Sequence, residues 1–305
     1  VRDLRCCLGW VPSVEWAGLY LADELGEFAR RDLRVLALDG GPGHPGAARR
    51  VAGGEAEVGL PSDALDVLRT VGSGADLVIL AASMCHSPLG LAWLPGTGIE
   101  GLADLVGARI GAGAEADRVV LDALFGLAGL PARYDFHLIG HDSIELEAGE
   151  IDVMCCSTIS QPAAAALRGV ELRTATFAEW GLSLPADLVV VTRDMVTADR
   201  ATARGVLAAL AAGWRANEAD PALAPRLVAD RHGRARGLSY EWGVAENERQ
   251  RPFVRAAPEA GLPWLGFEPA RLAATVAALV SAGMTGMPDV AGCVDMTVLA
   301  EAGVA

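Results

Sequence analysis

Two indoles and a carboxylate crowd one short stretch near the start of the chain: Trp10, Glu15 and Trp16 within residues 9–22. Indole faces attract flat rings and cations, and a carboxylate accepts hydrogen bonds from ring N–H groups. Together they suit a flat ligand that carries N–H donors or positive charge. The plainer account is packing, with both indoles covering a strand end. Other residues able to touch a ligand are Gly41, Ser62, Asp63, Ser83, Cys85 and His86, and farther on Glu115, Asp117, Cys156, Ser157, Glu179 and Trp180. Each has a competing structural role. Asp63, Glu115 and Asp117 can offset a helix dipole. His86, close to Pro88, can serve as a loop hydrogen-bonder, and Cys156 can be packing. Trp180, between Glu179 and Gly181 on a loop, has less packing reason for its place.

Several chemistries are excluded or disfavoured. All 25 basic residues are Arg, so a lysine Schiff base, a pyridoxal phosphate anchor and a P-loop lysine are absent. Gly40-Gly41-Pro42-Gly43 lacks the GxGxxG spacing and reads as a tight turn that lets a ligand approach backbone. The six cysteines (Cys6, Cys7, Cys85, Cys155, Cys156, Cys293) match no zinc spacing, and two vicinal pairs argue against a regular disulfide framework. Neither metal nor cofactor is expected. A net charge of −14 argues against nucleic acid or an anionic membrane surface as the main partner. No uninterrupted apolar run reaches transmembrane length, and a leader removed upstream of Val1 is compatible with the sequence.

The elements that must position these residues alternate. Apolar runs at 4–8, 33–38, 58–60, 77–82 and 89–94 read as strands. Helices are expected from Ser13 to about Ala29, over 47–52, and from a Ser62 cap to about Thr70. The alternation then restarts, with strands at 109–111, 136–139, 151–155, 172–176 and 188–192 and helical segments at 102–105, 117–127, 143–148 and 161–167. Strands separated by helices imply parallel sheets. Two such runs predict two α/β lobes: 1–88 plus 193–305, and 95–185, with hinge crossovers near 89–94 and 186–192. The rest reads as a helical C-terminal tail, with helices at 201–214, 222–229, 244–251 and 269–282. In open α/β sheets the ligand end is the carboxyl end of the strands, where Trp10, Glu15, Ser62 and Ser83 fall.

A family pattern runs through these pieces. Trp10-x-Pro12-x-x-x-Trp16-x-Gly18-Leu19-Tyr20-x-Ala22 resembles the opening motif of ABC-importer solute-binding proteins of the thiamine-pyrimidine-precursor group, which is itself similar to sulfonate, nitrate and riboflavin binders. Leu33-Arg34-Val35 before Gly40-Gly41-Pro42, the run Gly53–Gly59, the run Leu102–Gly111 and Gly149-Glu150-Ile151-Asp152-Val153 continue it in order over about residues 4–195. The resemblance implies a type II periplasmic-binding-protein fold and an extracytoplasmic monomer, periplasmic or lipid-anchored. It implies a small-molecule ligand held between the lobes by hinge closure and delivered to a membrane permease. The alternatives are an enzyme of the pyrimidine-synthase type and a cytosolic ligand sensor. In the resembling fungal enzyme a Lys and a His follow the third strand; Pro61 and Leu65 match those positions here. The binder motif departs as well: Trp16 stands in place of His, Gly9 in place of an acid, and Ser13 and Glu15 in place of Asn. Acidic residues at the helix starts favour a neutral or cationic heteroaromatic over a small oxyanion.

The missing lysine gives a direct test. Incubation with pyridoxal phosphate followed by borohydride should leave the intact mass unchanged at every side chain; a stable adduct on an internal peptide would contradict this reading.

Overall fold

The computed structural model describes residues 1–304. The chain divides into two compact units. The first comprises 1–86, 185–269 and 286–304. The second comprises 87–184 and 270–285. Each is built on one five-stranded mixed sheet flanked by helices.

The first unit contains β1 (Arg2–Leu8), β2 (Leu33–Leu38), β3 (Val58–Leu60) and β4 (Leu77–Met84). The second contains β5 (Leu89–Trp93), β6 (Arg109–Ala112), β7 (Asp135–Leu138), β8 (Val153–Ser157) and β9 (Arg173–Thr176). The last strand, β10 (Ala186–Thr192), returns to the first sheet. The orders are β2-β1-β3-β10-β4 and β7-β6-β8-β5-β9. In each, the fourth strand is antiparallel to its neighbours: β10 to β3 and β4, and β5 to β8 and β9. The segments expected as crossovers, 89–94 and 186–192, are therefore largely sheet strands.

Burial follows the apolar pattern. All eight residues of β4 are buried, as is β10 from Ala186 to Val191, which makes this pair the centre of the first core. The free edge of β4 is covered by its own unit. Ile79 bridges Val294, and the Ala82 N–H donates to the Leu265 carbonyl at 2.9 Å, so little of this edge is left open for pairing with another chain. The second unit packs Ala92, Leu146, Ile151, Met154 and Cys156 together.

The helices depart from the sequence expectation in instructive ways. The first is a 3-10 turn, Val14–Trp16, leading into a helix only from Ala17 to Glu24. Ser13 caps that turn through the Glu15 N–H at 3.1 Å. The helix after β3 is capped by Asp63, not Ser62: Asp63 Oδ1 accepts the Leu65 N–H at 2.8 Å. The helix expected at 244–251 runs from Tyr240 to Glu259 through Pro252 and Pro258. Part of the tail belongs elsewhere: 270–285 falls with the second unit, where Thr275 donates to the Ser183 carbonyl at 2.8 Å.

Two contacts fix the first helix. Helix Ala17–Glu24 meets helix Arg200–Ala219 at Gly18 and Gly213, where a Cβ on Gly213 would stand 1.9 Å from the Gly18 carbonyl oxygen. Beside this crossing, Asn217, Asn247 and Gln250 form a buried amide network. Asn217 and Asn247 exchange hydrogen bonds at 2.9 and 3.0 Å, and Gln250 donates to the Val14 carbonyl at 2.8 Å. That last bond ties the turn carrying Glu15 to the helix Tyr240–Glu259. Removing one member strands the others without water, which costs more than the bond itself is worth. Asn247→Ala should lower the unfolding free energy by about 2–4 kcal/mol, measured by urea denaturation; a loss below about 0.5 kcal/mol would show the network to be dispensable.

Candidate functional site

The carboxyl end of the first sheet collects acidic and hydroxyl groups from four segments. Glu15 lies on the turn after β1. Ser62 follows β3, and its hydroxyl donates to Glu15 Oε1 at 2.5 Å. Asp187 opens β10, whose antiparallel direction brings its start beside the ends of β3 and β4: Ala186 pairs with Met84, and the Asp187 N–H donates to the Ser62 carbonyl at 3.3 Å. Glu246, from the helix Tyr240–Glu259, is buried and acts electrostatically on Asp187.

Glu15 and Asp187 are both buried at this sheet end and act on each other's ionisation. Two carboxyls buried near each other resist ionising together. Burial of the carboxyl pushes Glu15 up to about 7, against the bonds from Ser62 and Asp187 that lower it. Burial, then the charge of Glu15, pushes Asp187 well above the usual carboxylate range. Asp187 is only 4% exposed, sits at φ 50° and has one oxygen, Oδ2, with no hydrogen-bond partner. A non-glycine residue held at positive φ is uncommon, though Asp is among those that tolerate it best.

Tyr20 adds a second buried polar atom. Its ring stacks on His232 at 3.8 Å between centroids, and its hydroxyl is buried without a hydrogen-bond partner. The hydroxyl feels Asp39, Glu15 and Cys6, and burial raises its pKa. His232 lies in a π-helical turn, Val228–His232, a backbone irregularity often met at functional sites.

The other residues singled out in the sequence divide by what they touch. Trp10 is exposed in the turn after β1, at the same sheet end as Glu15. Trp16 is 2% exposed, and its indole N–H is spent on the Val11 carbonyl at 3.0 Å, so its ring is part of the packing. Gly41 adopts φ 93°, and a Cβ there would stand 2.8 Å from Val11 Cγ1. Asp63 is the helix cap described above. Ser83 is buried and receives the Trp214 indole N–H at 3.0 Å. His86 ends the first unit, just past β4.

The residues of the second unit are described within it. Glu115 is exposed and pairs with Arg118 at 2.7 Å. Asp117 opens the helix Asp117–Leu127 and accepts the Ala114 N–H at 3.2 Å. Cys156 is buried in β8, its thiol pushed up to about 12 by burial. Ser157 Oγ accepts the N–H groups of Ile159 and Ser160 at the start of the helix Ser160–Leu167. Glu179 accepts from the Thr176 backbone and hydroxyl at 2.5 and 2.8 Å. Trp180 is half-buried on the short turn Ala178–Trp180. Among the described residues no group of His, Cys, Asp and Glu is arranged to hold a metal ion.

Of the residues gathered at this sheet end, Glu15 and Ser62 are among those the sequence singles out as ligand candidates, and Asp187, Glu246 and Tyr20 are not. A signal existed for Asp187: it is the lone acid in the run Pro185-Ala186-Asp187-Leu188-Val189, which leads into a fully apolar strand.

A mixed α/β sheet in each of two units, with ligand-competent groups at the strand ends, is the fold of ABC-import solute-binding proteins. Solved structures share it. The periplasmic aliphatic sulphonate binding protein SsuA of Escherichia coli superposes with a TM-score of 0.66 at 18% identity, covering 92% of this chain and 86% of its own. A ligand-binding component of an ABC-type import system from Staphylococcus aureus gives 0.68 at 10% identity, covering all of both chains. The family model described as NMT1/THI5-like matches residues 13–224, and the chain belongs to that family. A 4-amino-5-hydroxymethyl-2-methylpyrimidine phosphate synthase of Legionella pneumophila is 25% identical over 135 residues, 44% of this chain and 42% of the relative. The match thus spans less than half of that enzyme.

The paired carboxyls set a pH dependence. Glu15 has a folded value of about 7 against 4.5 when unperturbed. A raised carboxyl stabilises the fold below about pH 4.5, and that stability is lost as pH rises toward 7. Ligand-free protein should lose on the order of 1–3 kcal/mol of stability between pH 5 and pH 8 from this pair. Asp187→Asn supplies an amide donor to Glu15 and should flatten that slope. Parallel pH profiles for the two proteins in chemical denaturation would contradict the assignment.

Proposed function

We propose that this protein is an extracytoplasmic solute-binding protein that captures a small, flat, nitrogenous ligand and delivers it to an ABC importer permease. The observation that carries the ligand class is the acidic cluster of Glu15, Asp187 and Glu246 at the strand ends of the first unit. The charges acting on Asp187 are those of acids. Such a site repels a sulfonate, nitrate or phosphate and attracts amidine-like N–H groups or a cation. Trp10, exposed at the same sheet end, offers a face on which a flat ring can stack.

The positions that would serve the synthase chemistry are structural in this chain. The Pro61 carbonyl accepts the Leu188 N–H at 2.9 Å within the first sheet, and Leu65 is buried in the helix Ala64–Gly72. Neither can supply an amine or an imidazole. This favours a binder over an enzyme. Capture by hinge closure is the mechanism we infer: each unit has a core of its own, and a ligand that binds one conformation better shifts the population toward it.

Native mass spectrometry of the protein as purified tests the ligand class, with a retained nitrogenous heterocycle as the expected result and a retained sulfonate or phosphate as the contrary one. Trp10→Ala should then weaken binding of the retained molecule at least about tenfold, roughly 1.4 kcal/mol, with the ligand-free melting temperature nearly unchanged. Unchanged affinity would remove Trp10 from the site.

A further inference from the structure

Within residues 1–304 the chain passes between the two units four times: after His86, after Leu184, after Pro269 and after Thr285. The first two passages are bound side by side. Ala186 pairs with Met84 in the first unit, and the Ser87 N–H donates to the Leu184 carbonyl at 2.7 Å in the second. The last two passages bracket the helix Pro269–Ser281, whose residues from Ala270 on belong to the second unit. Both flanks of this helix are fastened to the first unit. Before it, Leu265 is buried, and its carbonyl accepts the Ala82 N–H at 2.9 Å on the edge of β4. Leu265 holds φ 64°, a left-handed conformation that a bulky side chain keeps only where its surroundings enforce it. After the helix, Gly286 lies so near the end of the helix Ala64–Gly72 that a Cβ on Gly72 would stand 1.7 Å from its carbonyl oxygen. Farther on, the Cys293 carbonyl accepts the Ile79 N–H at 2.8 Å. Between these fastenings the helix buries Leu272, Thr275, Val276 and Leu279. The Thr275 hydroxyl donates to the Ser183 carbonyl at 2.8 Å, next to Leu184, where the second passage begins.

We propose that the helix Pro269–Ser281 is a third strap of the hinge, fastened to the first unit on both flanks and to the second at Thr275, and that it narrows the relative motion of the two units. This rests on the reading of capture by hinge closure. Hinges absorb their motion in a few residues at the ends of elements. His86–Ser87 and Leu184–Pro185 are such places. Two short connections alone leave the joined bodies free both to bend and to twist. A third connection that is hydrogen-bonded in each unit has to follow any such motion. A motion it cannot follow breaks its bonds at Ala82, Ile79 or Ser183. The strap thus filters out the motions that these bonds resist. Capture benefits, because a receptor that samples fewer arrangements when empty loses less freedom on closing. More of the contact energy then appears as affinity.

Double electron–electron resonance on the full chain reads this motion without any ligand. Spin labels go on Arg49→Cys in the first unit and Arg133→Cys in the second, both exposed positions. Arg49→Cys with Arg234→Cys, exposed and within the first unit, gives the width expected of one rigid body. The chain without introduced cysteines sets the background from the native ones. A protease site inserted between Thr285 and Gly286 cuts the strap at one flank. Thr275→Val removes its bond to the Ser183 carbonyl with the shape kept, and Thr275→Ser keeps the hydroxyl. The distance distribution between the units should broaden when the inserted site is cut and, to a smaller extent, in Thr275→Val. Thr275→Ser should keep the parent's distribution. Where cutting unfolds the chain in a thermal melt, Thr275→Val decides. A distribution that is broader than the one-unit control and unchanged by the cut and by Thr275→Val would overturn the strap and leave hinge closure standing. One that stays as narrow as that control with the strap cut would overturn both.

Discussion

The contact between Glu15 and Asp187 is the constraint around which the first unit is arranged. Two buried carboxyls repel if both ionise, and in a medium of low polarity that repulsion exceeds any single hydrogen bond in the fold. Burial raises both groups above the usual carboxylate range, and Ser62 donates to Glu15 at 2.5 Å. Several contacts hold these groups in place. The antiparallel β10 brings Asp187 beside the carboxyl ends of β3 and β4. The Asn217–Asn247–Gln250 network clamps the Val14 carbonyl, one residue before Glu15. The Gly18–Gly213 crossing sets how closely the first helix lies against the long helix behind it.

The fold is shared with solved solute-binding proteins of low sequence identity, and the chemistry of the strand ends is a matter of side chains. Oxyanion sites are built from donors and bare helix starts. Here one helix start is closed by Asp63, and the adjoining strand ends carry acids. Selectivity between an anionic and a cationic ligand needs little structural change, since a few side chains at one sheet edge decide its sign.

Much of the fold was legible in the sequence, because the buried strands β3, β4, β5 and β10 lie on short apolar runs, whereas β7 and β9 carry polar residues and are partly exposed. Helix ends were less so. The stop expected near Arg251 fails because the helix tolerates the hydrogen bond lost at Pro252 and carries on to Glu259. The first helix is shorter than its apolar spacing suggests, since it ends at Glu24 and the chain turns through Gly26 at φ 70°. The site was half legible. Glu15 and Ser62 stand out locally, as polar residues just past strands. Asp187 does not, because its meaning depends on β10 pairing between β3 and β4, a contact across more than a hundred residues. Trp16 misled for a related reason. An indole near a strand end looks available, and only the three-dimensional packing shows its N–H taken by Val11.

Burial at the carboxyl end of the first sheet should keep the Glu15 and Asp187 carboxyls protonated to higher pH than exposed acids. Carbon-13 NMR of protein labelled at the Asp and Glu side-chain carboxyls tests this without any ligand. The account predicts protonated carboxyl resonances at pH 6 assignable to Glu15 and Asp187, lost or shifted in both Glu15→Gln and Asp187→Asn. A spectrum at pH 6 in which both residues show the shifts of free carboxylates would contradict it.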